Sequence, residues 1–157
     1  MTPQTAPHTA LPTLADLTAR TGLDVLDHLE RQVTVPVVGG LQAQGDLVVV
    51  PHAMLPFVTE AGWDRWRDVP ASGVELLRSA GGGNPHTLTA DPGACRWTSG
   101  VRDTQGLALA LIENTSTAYL LHPEHGANGI APGRWVVRRQ RERTHHTGRP
   151  ANRLVAD

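Results

Sequence analysis

Lysine is absent from this chain. All fourteen basic side chains are arginines, set against fifteen acidic ones, for a formal net charge of -1. A near-neutral chain is not a globally basic nucleic-acid binder. Arginine without lysine, beside abundant alanine, glycine and proline, fits the codon bias of a GC-rich genome without any need for guanidinium chemistry. Cysteine is nearly absent too: Cys95 stands alone, which excludes an internal disulfide, a zinc knuckle and a cysteine redox pair. Any metal site must therefore use histidine and carboxylates. No apolar run approaches the roughly 20 residues that span a bilayer. Residues 1–8 lack a basic n-region and an apolar h-region, so no secretory signal is read and a cytoplasmic protein with no membrane contact is expected. P-loop, dinucleotide fingerprint, nucleophile elbow, zincin motif and internal repeat are all missing.

What is present fits one compact domain. The 157 residues are 39% hydrophobic and 18% charged, with 16 glycines and 12 prolines, enough apolar content for a core. Residues 1–12, rich in Thr, Pro and Ala, read as an extended arm. Residues 13–32 read as a helical hairpin: Thr13 and Asp16 suit a capping box, and Leu14, Leu17, Leu26 and Leu29 recur near helical spacing around a Thr21-Gly22 break. A helix-turn-helix is disfavoured because Asp16, Asp24, Asp27 and Glu30 would meet phosphates. Residues 33–143 turn to short apolar runs closed by Gly or Pro, which predicts a mainly β domain, a small barrel or sandwich of cupin-like or β-clip-like type. Strands are expected over 33–38, 47–50, 74–77, 86–90, 96–98, 107–112, 117–121 and 134–141, with a further one near 153–156. Trp63 and Trp66 suggest a helical turn capping the end of the domain. Residues 144–157 form a basic C-terminal tail, and Asn114-Thr115-Ser116 reads as a turn rather than a glycosylation site.

Two clusters carry chemistry. His122-Pro123-Glu124-His125 puts two imidazoles and a carboxylate within four residues at a strand end, and His86 is the best further donor. With Glu124, this set suits a divalent ion such as zinc, iron or manganese. The second cluster is the strand entering the tail, where Arg138, Arg139, Arg141 and Arg143 suit an anion or nucleic acid. An edge strand guarded by charge explains the same pattern without a ligand.

The Gly129-Ile130-Ala131-Pro132-Gly133 corner leading into a valine-rich strand resembles small cupin-type barrels, although only His86 stands where that pattern has a His pair. Gln44-Gly45-Asp46, Gly83-Asn84-Pro85-His86, His122-Pro123-Glu124-His125-Gly126 and Arg139-Gln140-Arg141-Glu142 more closely resemble an uncharacterised bacterial and phage family of small β proteins. That resemblance implies a compact β domain and no known activity. The expected function is a non-catalytic binding or assembly module, docking on copies of itself or on a larger particle. A cupin-like metal enzyme using His86, His122 and His125 is the first alternative, and nucleic-acid or anion binding the second.

Overall fold

The computed structural model describes residues 11–27, 29–78, 84–146 and 149–154, with side chains for all of these except Arg78 and those beyond Gln140. Most of the expected 1–12 arm, the Gly81–Gly83 turn and the last residues of the tail lie outside them. The helix α1 (Leu14–Thr21) precedes β1 (Val37–Val38), β2 (Gln42–Gln44), β3 (Leu47–Pro51), β4 (Thr59–Glu60), β5 (Arg67–Asp68), β6 (Val74–Arg78) and β7 (Pro85–Thr89). There follow β8 (Cys95–Thr98), β9 (Val101–Arg102), β10 (Ala108–Asn114), β11 (Ala118–His122), β12 (Gly126–Ile130), β13 (Gly133–Arg139), β14 (Arg141–His146) and β15 (Arg149–Leu154). Five strands form one sheet in the order β1-β12-β11-β7-β6, and six form another in the order β2-β3-β13-β10-β8-β5. The chain is mainly β, and neither sheet closes into the barrel that was one of the two expectations.

Period-two alternation decides what each strand buries. Leu88 and Ala90, Leu120 and Ile130 from the first sheet meet Leu47, Val49, Ile112 and Val137 from the second in a single cluster. Intervening residues of β11 face the other way, and α1 covers them. Leu14 and Val25 pack on Leu121, while Leu17 and Val35 pack on Tyr119. All five residues of β11 are therefore buried. On the far side of the second sheet, the segment after β3 lays Val58 on Leu111 and Val136, with Leu55 and Trp66 beside them.

Helix α1 begins as its sequence requires: Asp16 N–H donates to Thr13 Oγ1 at 3.2 Å, and Thr13 N–H donates to Asp16 Oδ2 at 2.8 Å. It ends at Gly22, whose φ of +69° suits glycine. The expected second helix does not form among the described residues of 23–32. This stretch packs as an irregular segment instead, with Leu26 N–H donating to the Pro123 carbonyl at 2.9 Å and Ala15 N–H to Arg31 O at 2.9 Å. Tertiary docking of Val25 and Leu29 has overridden the leucine periodicity. Nor do Trp63 and Trp66 share a helical turn. Trp63 is 67% exposed, and Trp66 lies beneath the guanidinium groups of Arg96 and Arg134, 5.3 and 5.7 Å from its ring.

The strand β12 falls within what reads in sequence as a loop and corner. It pairs antiparallel with β11 and parallel with β1, Gly129 opposite Val37. A Cβ at Gly129 would lie 2.8 Å from Val37 Cγ2 and 3.0 Å from both Pro36 O and Val37 Cα. Glycine is what lets the two backbones approach. Gly129→Val is expected to cost about 1–3 kcal/mol in urea unfolding by forcing β1 away. Gly39→Ala, where an added Cβ meets nothing within 4 Å, is the control expected to leave stability unchanged.

Candidate functional site

The inward-facing positions turn polar at one end of the layer between the sheets. Gln42 and Gln44 on β2, Asp46 in the β2–β3 turn, His86 on β7 and His122 on β11 are all buried there. Gln44 Nε2 donates to the Leu120 carbonyl at 2.9 Å, so its Oε1 is turned to His86 Nδ1, 2.9 Å away. The other ring nitrogen, Nε2, lies 2.7 Å from Asp46 Oδ1. With Asp46 as a carboxylate, both of these groups are acceptors, and His86 then donates through both nitrogens as an imidazolium paired with it. His86 is 0% exposed and the Asp46 side chain 6%. The ion pair joins one sheet to the other inside the core.

A second imidazole lies against the first. The His86 and His122 ring centroids are 4.4 Å apart, and those of His122 and His125 are 4.5 Å apart. Three rings thus run from the buried carboxylate to the surface, where His125 and Glu124 are exposed. Asn84 Nδ2 donates to Glu124 Oε1 at 3.2 Å. His122 Nδ1 accepts from the backbone N–H groups of Glu124 and His125, at 3.1 and 3.3 Å. Its lone pair therefore caps the turn fixed by Pro123, and the ring proton sits on Nε2.

The structure brings three of the four expected metal ligands together. One ligand atom from each of His122, Glu124 and His125 lies within 4.8 Å of the others. His86 stacks beneath this group with its nitrogens engaged by Gln44 and Asp46. A metal on His122 would have to take Nδ1 from two amide donors, or take Nε2 after its proton had moved to face those donors. Either route opens the turn.

The expected anion-binding strand is placed differently. It is split: β13, with Arg138 and Arg139, lies between β3 and β10, so the edge-strand explanation does not hold for those two, whereas Arg141 and Arg143 lie on β14, which pairs with β15 alone among the described residues. Arg138 pairs with Asp103 at 3.1 Å, with 12% and 3% of the two side chains exposed, and donates to Gln105 Oε1 at 2.7 Å. Burial pushes the Asp103 carboxyl up, but the Gln105, Ala108 and Leu107 amides and the Arg138 charge hold it below its ordinary value. Arg138 is thus committed to a structural ion pair. Arg139 Nε is buried without a hydrogen-bond partner among the described residues, and the side chains of Arg141 and Arg143 lie outside them. Burial also pushes the Cys95 thiol up to about 12, which makes it inert. Asn114 Nδ2 donates to the Ser116, Ile130 and Ala131 carbonyls, so the amide of the Asn-x-Ser sequence is occupied in the fold.

Residues 43–140 match a family described only as a domain of unknown function, DUF8820. The chain belongs to this family. No curated protein and no solved structure matches it significantly. The DUF8820 region holds every residue of the polar end just described except Gln42, and it stops at Gln140, one residue before β14.

Sequence reading found the histidines and missed their partners. In sequence Gln44 and Asp46 stand in the family-like Gln44-Gly45-Asp46 segment, although glutamines at alternate positions 42 and 44 mark a strand whose inner face is polar. Truncating either member of this buried pair leaves the other without its partner in the core. Asp46→Ala and His86→Ala are each expected to cost about 3–5 kcal/mol in urea unfolding. The double variant should cost clearly less than their sum, whereas simple additivity would show that the two groups are not coupled.

Proposed function

We propose that this DUF8820 chain is a non-catalytic assembly module, and that its C-terminal β14–β15 ribbon is the arm by which it docks. One observation carries the reading. Among the described residues the two strands pair with each other, from Arg141↔Leu154 to His146↔Arg149, and join neither large sheet. A lone two-stranded ribbon is marginal in water and gains stability from a third surface. Such an arm suits a subunit of a larger particle or a self-associating protein. The commitments of His86 and His122 at the polar end, and of Arg138 on β13, to partners within the fold support a binding role over catalysis.

The proximity of His122, Glu124 and His125 favours a second reading, divalent metal binding. Because the two amides hold His122 Nδ1, zinc titration followed by calorimetry is expected to give no stoichiometric tight binding. Tight binding abolished by His125→Ala would instead favour the metal reading and a cupin-like enzyme.

The assembly reading is tested by light scattering coupled to size exclusion, comparing the full chain with a chain ended after Gln140. The expected result is an oligomer for the full chain and a folded monomer for the shortened one. A full chain that stays monomeric at high concentration would contradict the proposal.

A further inference from the structure

The ribbon is strongly basic. Residues 141–154 hold four arginines and two histidines against one glutamate, and the rest of the chain holds fourteen acids against ten arginines. A complementary surface stands on the body. Asp24, Asp27 and Glu30 lie in the irregular segment after α1, with the Asp24 and Asp27 side chains 87% and 106% exposed. Their ion pairs among the described residues are with Arg31 alone, at 3.3 and 3.5 Å, one guanidinium serving both carboxylates. Glu30 accepts from Gln32 N–H. Negative charge remains in excess there, and exposed Leu26 and Val33, at 43% and 55%, add apolar contact area.

The acidic segment and the root of the ribbon are held at the same end of the molecule. Leu26 N–H binds Pro123 O, in the turn that His122 caps. His122 stacks on His86, which pairs with Asp46, and the Asp46 carbonyl accepts from Gln140 N–H at 3.0 Å, just ahead of β14. Arm and receptor at one end suit a reciprocal exchange about a two-fold axis, in which each copy gives its ribbon and receives the other's.

We infer that the surface of Asp24, Asp27 and Glu30 receives the basic ribbon of a second copy of this chain, giving a closed dimer. This inference rests on the assembly reading and adds the partner and the contact face to it. Charge complementarity of this kind fixes register and excludes like-charged partners.

The test is a charge exchange in the full chain, read by sedimentation, with circular dichroism to check the fold of each variant. Asp27→Arg/Glu30→Arg and Arg141→Glu/Arg143→Glu are each expected to weaken dimerisation at least about tenfold. An equimolar mixture of the two should dimerise again, because both contacts then pair opposite charges. A dimer unaffected by Asp27→Arg/Glu30→Arg, yet lost when the chain ends after Gln140, would overturn this face while leaving the assembly reading intact. Loss of neither would overturn both. A monomer whose ribbon retains duplex DNA, with retention lost in Arg141→Glu/Arg143→Glu, would replace the second copy with nucleic acid.

Discussion

The buried pair of His86 and Asp46 is the constraint on which the polar end of this protein depends. It joins a strand of one sheet to the turn of the other, 2.7 Å apart and closed to solvent. Ions taken so far from water are tolerated only when their remaining hydrogen-bonding groups are satisfied. Gln44 meets the second ring nitrogen of His86, and its own amide is anchored on Leu120 O. The tightness of the β2–β3 turn follows from this, because Asp46 must reach inward with its carboxylate while its carbonyl holds Gln140. A single residue therefore ties the inter-sheet core to the point where the family region ends and the ribbon begins.

His122 depends on the same pair. A charged His86 ring at 4.4 Å disfavours a second charge on His122, and two amide donors on its Nδ1 require a neutral acceptor. A charged neighbour and the capped turn thus favour the same neutral state, and the amide donors alone select the tautomer. That agreement is why histidines that read in sequence as metal ligands act here as structural connectors, with only His125 and Glu124 left at the surface. The Arg138–Asp103 pair behaves alike on β13, turning a residue that resembles an anion binder into a fixed part of the sheet.

Much of the fold was legible in the sequence. Alternating and short apolar runs placed β3, β6, β7, β10, β11 and β13, and the capping box placed the start of α1. The misses have physical causes. Leucines at near-helical spacing after Gly22 were drawn to Leu121 and the Pro123 carbonyl, and that docking replaced a second helix. β12 reads as glycine-rich loop because its glycine serves a close parallel approach to β1, which local propensity does not register. The histidines were legible as a cluster, but their partners Gln44 and Asp46 lie about forty positions away in the chain, and only sheet packing brings them together.

The most direct test of this account is the protonation state of the imidazoles, read from long-range 1H–15N correlation spectra of 15N-labelled protein at neutral pH. The account expects both nitrogens of His86 to be protonated and His122 to be neutral with its proton on Nε2. A neutral His86 with one unprotonated ring nitrogen, or a His122 protonated on Nδ1, would contradict it.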